Sequence, residues 1–191
     1  MEKIKAIIQS SIDVKQEVLE SEHFVGLIES VSQLITTRLK AGNKVLFCGN
    51  GGSAADAQHL AAEFSGRFYI DRPALPAEAL HCNTSYLTAV ANDYSYDVIY
   101  SRLLQGIGNA GDVLIGMSTS GNSKNIIAAM ETAREKQIIT IGMTGATGGQ
   151  MKELSDHIFN VPSTDTPRIQ EAHMLIGHII CQLVEEYYFT S

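Results

Sequence analysis

Apolar residues at helical spacing dominate the start of the chain. Isoleucines recur at positions 4, 7, 8 and 12, and a second apolar series runs from Phe24 to Leu39 with polar residues between its members. Such spacing places the apolar side chains along one face of a helix. The pattern predicts two amphipathic helices within about residues 1–41, which carry apolar surface for packing between subunits.

Beyond residue 42, short apolar runs alternate with helical patterns. The runs show little polar alternation, which is typical of strands buried on both faces of a parallel sheet. They are KVLFC (44–48), DVLIGMS (112–118), IITIGMT (138–144), HIFNV (157–161) and a weaker fifth, PAEAL (76–80). Helical patterns lie at 53–66, about 84–107, 123–136, 149–155 and about 167–187.

This order of elements predicts an α/β fold. We expect a doubly wound, mainly parallel five-stranded sheet flanked by helices and joined by right-handed crossovers. A length of 191 residues suits one domain with a real core, so residues 1–191 are expected to form a single domain that includes the N-terminal helices.

Charge and cysteine content exclude several classes of protein. The formal net charge is −7, which disfavours nucleic acid or an anionic membrane as the main partner. The three cysteines are odd in number and widely spaced, so they match neither a disulfide framework nor a metal ribbon. No apolar run approaches the ~18 residues of a membrane span. We therefore predict a cytoplasmic protein with no membrane segment.

Two loops that follow predicted strands are suited to binding an anion. They are GNGGS (49–53) and STSGNS (118–123). Ligands of open parallel sheets bind beyond the carboxyl ends of the strands. Serine hydroxyls and backbone N–H groups at a helix N-terminus hold phosphate without a lysine. The loops predict a site for one phosphoryl group of a small molecule.

Both loops also have other interpretations. A serine-rich helix start can be a simple N-cap. Gly49, Gly51 and Ala54 fit the glycine spacing of dinucleotide-binding folds, but no acidic residue ends the second predicted strand as such folds require. The G-x-x-x-x-G-K-[ST] motif of nucleoside triphosphate binding does not occur. We expect no nucleotide cofactor.

Two further residues suggest acid–base or metal chemistry. His59 and Glu63 lie one helical turn apart, so they suit a metal site or proton transfer, or else form a surface pair worth ~0.2–0.5 kcal/mol. His178 lies in a nearly apolar helix, where a lone histidine is more often a core residue. Glu171 lies seven residues before His178 on the same helical face, so helical spacing alone would choose Glu171 as a partner if His178 bound a metal.

Four long segments resemble the phosphoheptose isomerase family of sugar isomerase (SIS) domain enzymes. They are CGNGGSAADAQHLAAEFSGRF (48–68), AVANDYSYDVIYSR (89–102), GDVLIGMSTSGNSKN (111–125) and RIQEAHMLIGHIICQLVE (168–185). The resemblance covers nearly the whole chain. It implies a homotetramer that isomerises sedoheptulose 7-phosphate to D-glycero-D-manno-heptose 7-phosphate through an enediol, in ADP-heptose and lipopolysaccharide core biosynthesis.

The resemblance also implies the site residues. The acid/base pair falls on Glu63 and His178, and a Zn²⁺ site falls on His59, Glu63, Gln170 and His178. The implied substrate-binding residues are Asn50, Gly51, Gly52, Ser53, Asn92, Asp93, Ser118, Thr119, Ser120, Ser123 and Gln170. Pro167 stands where relatives can carry a polar or acidic residue, which leaves Asp165 or Thr166 for one hydroxyl contact.

An alternative function comes from a different class. A non-enzymatic SIS tetramer that binds the replication initiator protein would keep the phosphate loops without needing Glu63 and His178. The presence of both residues favours the enzyme. A sugar-phosphate-sensing regulator would need an attached DNA-binding domain, for which 191 residues leave no room.

Overall fold

Five parallel strands form the centre of the computed structural model, which describes residues 1–190. Every neighbouring pair of strands is parallel, in the order β2-β1-β3-β4-β5. The predicted α/β sheet is confirmed, and it is entirely rather than mainly parallel. The strands are β1 (Val45–Gly49), β2 (Ala77–Ala79), β3 (Val113–Met117), β4 (Ile139–Thr144) and β5 (His157–Asn160).

Seven α-helices within residues 1–190 flank the sheet. They are α1 (Glu2–Glu20), α2 (Glu22–Lys40), α3 (Gly52–Ser65), α4 (Thr84–Asp93), α5 (Ile99–Ile107), α6 (Lys124–Glu135) and α7 (Thr166–Phe189). None of these described helices is long and apolar enough to cross a membrane.

Two predicted helices differ in the structure. The helix expected over about 84–107 is divided, because Tyr94 leaves the helical region at φ −123° and ψ −87° and Ser95 is extended. A short 3-10 turn, Tyr96–Val98, then leads into α5. The helix expected at 149–155 is a 3-10 turn over Gly149–Glu153.

The central strands bury side chains on both faces. In β1, Val45 and Phe47 belong to the core beneath α2, α3 and α7, whereas Leu46 and Cys48 belong to the core beneath α5 and α6. Side chains alternate in direction along a strand, but here both directions lead to apolar surroundings. This explains why the strands appear in the sequence as uninterrupted apolar runs.

The first half of α1 lies outside these cores. Val14 and Val18 near its end are buried, but Ile4, Ile7, Ile8 and Ile12 are 49–63% exposed. Arg168 of α7 holds this half of the helix by donating a hydrogen bond to the carbonyl of Ile7 at 2.9 Å. Within residues 1–190, no other element covers the isoleucine face of α1.

His173 on α7 is a core residue. It is fully buried, and its Nε2 donates to the carbonyl of Thr144 at 3.1 Å. Burial lowers the pKa of His173 to about 4, and the hydrogen bond to Thr144 acts in the opposite direction. The imidazole is therefore neutral in the folded chain at physiological pH.

We expect His173 to reduce the stability of the fold between pH 7 and pH 5. Its pKa is about 4 in the folded chain, below the ordinary 6.5, so the unfolded chain binds more protons in this interval. The free energy of unfolding keeps its full value above the pKa of His173 in the unfolded chain. It declines as the pH falls towards the pKa of His173 in the folded chain, with a loss of about 2 kcal/mol by pH 5. Urea unfolding at the two pH values measures the loss.

His173→Gln is the matched control for this effect. Glutamine keeps an N–H donor for the Thr144 carbonyl but does not titrate, so the variant should lose less stability than the wild type over the same interval. Equal losses in the two proteins would assign the pH dependence to other groups.

Candidate active site

The candidate site lies at the carboxyl ends of β1 and β3. These strands are neighbours, and the chain leaves them towards opposite faces of the sheet, since α3 packs on one core and α6 on the other. Loops that diverge in this way leave a crevice between them. Asn50 and Gly51 form the turn from β1, Gly52 and Ser53 begin α3, and the loop 118–123 leads from β3 to α6.

A cavity of about 210 Å³ occupies this crevice. The N-termini of α3, α6 and α7 all meet at its wall, and no lysine or arginine lines it within residues 1–190. Helix N-termini and hydroxyl groups together favour a bound anion. The lining residues are Asn50, Ser53, Met117, Ser118, Thr119, Ser120, Ser123, Thr166 and Gln170.

The serine hydroxyls of the second loop face one another. Ser118 Oγ lies 2.9 Å from Ser123 Oγ and 3.4 Å from Ser120 Oγ. Ser123 is the N-cap residue of α6, yet its side chain makes no capping hydrogen bond. Gly121 turns the loop at φ +66°, where a Cβ would lie 2.1 Å from the Gly148 carbonyl oxygen. The loop therefore groups its hydroxyls, which a simple N-cap does not require.

Asn50 is held in place by residues that are distant in the sequence. Its side-chain amide and that of Asn125 exchange two hydrogen bonds of 2.8 Å, and the Tyr96 hydroxyl donates to Asn50 Oδ1 at 3.0 Å. Asn125 and Tyr96 were not predicted from the sequence, because neither belongs to a motif that includes Asn50. Their role depends on the meeting of α6 and the 96–98 turn with the first loop.

His59, Glu63 and His178 form a second cluster, on α3 and α7. Their possible ligand atoms all lie within 4.8 Å of one another. His59 Nε2 is 3.1 Å from Glu63 Oε1, and the rings of His59 and His178 are 5.0 Å apart. Helices α3 and α7 approach closely at Gly177, where a Cβ would lie 2.6 Å from both methyl groups of Leu60.

The chemistry of this cluster suits a bound divalent metal. Nε2 of His178 is buried and has no hydrogen-bond partner within residues 1–190. Burial lowers the pKa of His178, His59 lowers it further, and Glu63 acts in the opposite direction. A neutral imidazole, a second imidazole and a carboxylate are common ligands of zinc.

Similarity to known proteins identifies the family. Residues 8–145 match the SIS domain family. The phosphoheptose isomerase of Aneurinibacillus thermoaerophilus is 58% identical over 188 residues, which are 98% of this chain and 95% of that protein. The chain belongs to the phosphoheptose isomerase family. The resemblance noted in the sequence is thereby confirmed.

Two solved structures of phosphoheptose isomerases have the same fold over nearly the whole chain. The one from Neisseria gonorrhoeae has a TM-score of 0.90 at 41% identity and covers 97% of this chain and 98% of that one. The one from Francisella tularensis has a TM-score of 0.93 at 34% identity and covers 97% of each chain.

Gln170, the remaining ligand position implied by the phosphoheptose isomerase family, lies beside the cavity. Its Nε2 is 3.5 Å from Ser53 Oγ, and it lies on the same helix as His178. Glu171, which helical spacing favoured instead, is directed towards α1, where it accepts a hydrogen bond from Ser11 and pairs with Arg168. It is not part of the His59 cluster.

Asn92 and Asp93 are the last two residues of α4 and do not line the cavity. Asn92 Nδ2 donates to Asp93 Oδ1 at 2.9 Å, and both side chains are exposed in the single chain. Asp56, which lies one turn before His59, was also not predicted from the sequence. Burial raises the pKa of Asp56, His59 acts in the opposite direction, and its Oδ2 has no partner within residues 1–190.

We expect Gly177→Ala to destabilise the fold by about 1–3 kcal/mol, because the added methyl group overlaps Leu60 in a filled core. The free energy of unfolding in urea measures the loss. In the double variant with Leu60→Ala the overlap is removed, so the combined loss should be smaller than the sum of the two single losses.

Gly106→Ala is the control, since nothing lies within 4 Å of a Cβ at that position of α5. It should cause no loss of stability. Additive losses for Leu60→Ala and Gly177→Ala would show that these residues do not hold the two helices at their present separation.

Proposed function

We propose that this chain converts sedoheptulose 7-phosphate to D-glycero-D-manno-heptose 7-phosphate, a step towards the heptose of lipopolysaccharide or a related glycan. One observation carries the proposal: helix α3 connects the cavity to the His59 cluster. The helix begins at the hydroxyl-lined cavity and also carries Glu63, which faces His178. One end of a sugar phosphate is thus held while the other is presented to an acid and a base.

The cavity suits the phosphate of the substrate. Ser118, Ser120 and Ser123 supply hydroxyls that both donate and accept, and the helix N-termini supply backbone N–H groups. Such donors are already oriented before the substrate arrives, so binding requires little reorganisation. This arrangement holds a dianion in a chain whose own net charge is −7.

Glu63 and His178 suit the two kinds of proton transfer in the reaction. The carboxylate of Glu63 removes a proton from the carbon beside the ketone, which gives an enediol, and returns a proton to the former carbonyl carbon. His178 is neutral at physiological pH because of its lowered pKa, so it can take a proton from one oxygen and give it to the other. The carbon skeleton and the oxidation state of the molecule as a whole are unchanged.

We propose that His59, Glu63 and His178, with Gln170 as a fourth candidate, hold Zn²⁺. A bound divalent ion would polarise the carbonyl and stabilise the negative charge of the enediolate. The unpartnered Nε2 of His178 and the spacing of the three ligand atoms support this assignment. Glutamine is a less common ligand than histidine or carboxylate, so Gln170 is the most replaceable of the four.

The proposed assembly is a homotetramer in the cytoplasm. The isoleucine face of α1 leaves large apolar side chains exposed, a feature typical of protein interfaces. Cys48, Cys82 and Cys181 are free thiols, which suits a reducing compartment.

We expect Glu63→Gln to lower turnover of sedoheptulose 7-phosphate by at least about 10²-fold, because the amide cannot accept the proton. Affinity for the sugar phosphate should change much less, since the serine loop is untouched. The measurement is turnover together with incorporation of solvent deuterium at the carbon beside the carbonyl. A variant that isomerises at the wild-type rate would remove Glu63 as the base.

His178→Gln separates loss of the proton carrier from loss of metal. Its turnover should fall, and the zinc content of the same preparation shows how much of the fall accompanies loss of the ion. A wild-type protein that lacks isomerase activity with added zinc would favour the alternative function, binding of a replication initiator by a non-enzymatic SIS tetramer.

Light scattering tests the proposed assembly. We expect the wild type to have the mass of four chains at micromolar concentration, and Ile8→Glu to lower that mass because a buried, unpaired charge would oppose contact between the α1 faces. A stable wild-type monomer would contradict the assembly.

A further inference from the structure

Arg72 and Glu185 form an ion pair between the loop after α3 and the end of α7. Arg72 Nε lies 2.7 Å from Glu185 Oε2, and each side chain is only 3% exposed. Removing two charges from water is costly, so a buried ion pair is by itself weak evidence of a stabilising role. The role of this pair follows from the backbone carbonyl and N–H groups that its two side chains bind.

The guanidinium of Arg72 caps the end of α3. Nη2 donates to the carbonyl of Glu63 at 2.8 Å, and Nη1 donates to the carbonyls of Phe64 and Gly66 at 2.9 and 3.2 Å. The last carbonyls of a helix have no partner within the helix, and a basic side chain can supply one. Arg72 thus binds the backbone of the residue that supplies the proposed catalytic carboxylate.

The carboxylate of Glu185 binds the loop that follows. It accepts hydrogen bonds from the backbone N–H groups of Phe68, Tyr69 and Ile70 at 3.1, 2.8 and 2.9 Å. These bonds place the Phe68 ring 5.6 Å from the ring of His178. Glu185 itself lies two helical turns after His178, on the same face of α7.

We propose that the Arg72–Glu185 pair is a positioning device for the reaction. It joins the end of α3 to α7, so that Glu63 and His178 keep their separation and Phe68 stays packed on His178. The inference rests on the proposed function, since it gives those two residues the proton transfers. Arg72 and Glu185 act through the backbone and the loop, not on the substrate.

The first test compares Arg72→Met and Glu185→Gln with the wild type. The turnover number should fall at least about tenfold in each, since misplacement of about 1 Å costs up to about 10² in rate. KM should change by less than about threefold, because the serine loop is not altered. Hydrogen exchange at the amides of residues 66–72 should accelerate, while the sheet stays protected.

A double variant separates positioning from stability. In Arg72→Met/Glu185→Leu no charge is left buried and unpaired, so folding stability should recover relative to the single variants. Turnover should stay low, because the carbonyls of α3 and the loop N–H groups still lack their partners. Recovery of wild-type turnover together with stability would overturn the proposal.

Lys44→Met is the matched control, because Lys44 forms an ion pair with buried Asp112 far from the site. Lys44 Nζ lies 2.6 Å from Asp112 Oδ2. The two residues directly precede β1 and β3, at the amino ends of the strands and therefore opposite the cavity. The variant should lose stability but keep the wild-type turnover number where it is folded. An equal fall in turnover in this control would overturn the inference.

Wild-type turnover in folded Arg72→Met and Glu185→Gln would also overturn it. Failure of the proposed function gives a different result, because the wild type itself would then lack isomerase activity with added zinc. Hydrogen exchange at residues 66–72 would still report whether the ion pair holds the loop.

Discussion

The close approach of α3 and α7 is the constraint on which the arrangement of the site depends. Leu60 packs directly against the backbone of α7 at Gly177, and the next residue, His178, thereby comes within reach of His59 and Glu63. Helices that pack through ordinary side chains lie about 8–10 Å apart. A wider separation would move His178 away from the carboxylate of Glu63, even though the sequence would still contain all three residues of the cluster. The contact between Leu60 and the backbone of α7 thus sets the distance between the two proposed proton carriers, Glu63 and His178.

The parallel sheet explains how an acidic chain can hold phosphate. Every strand ends at the same edge, so the helices that follow β1, β3 and β5 all begin there and direct their N-terminal N–H groups towards one crevice. The positive ends of these helices belong to the backbone, and they therefore do not depend on the sign of the net charge. The side chains add hydroxyls and the two amides of Asn50 and Gln170, which would fix the geometry of the proposed anion. The parallel topology therefore places the positive helix ends at the crevice, and the side chains of the loops determine the shape of the cavity.

The parts of the molecule predictable from sequence are those with a local cause. Strands covered on both faces need continuous apolar runs, and the serine loop needs small polar residues before a helix, so both left clear patterns. The break at Tyr94 left none, because the apolar spacing of the two helices continues across it. Asn125 was missed because its contact with Asn50 arises only when the sheet is assembled. Helical spacing favoured Glu171 as a metal ligand because spacing carries no information about α1. In the structure, Ser11 of α1 donates a hydrogen bond to the Glu171 side chain.

The single chain holds the proposed acid, the proposed base and the proposed phosphate cavity, but it leaves part of this site open to water. The side chain of His59 is 51% exposed and that of Glu63 is 23% exposed. An enediolate is protected by the exclusion of water, which also strengthens each interaction with its charge. Arg168 ties the uncovered half of α1 to the helix that carries His178. In the proposed tetramer, packing on that half of α1 would therefore act on the helix of the site, and assembly would complete the environment in which Glu63 works.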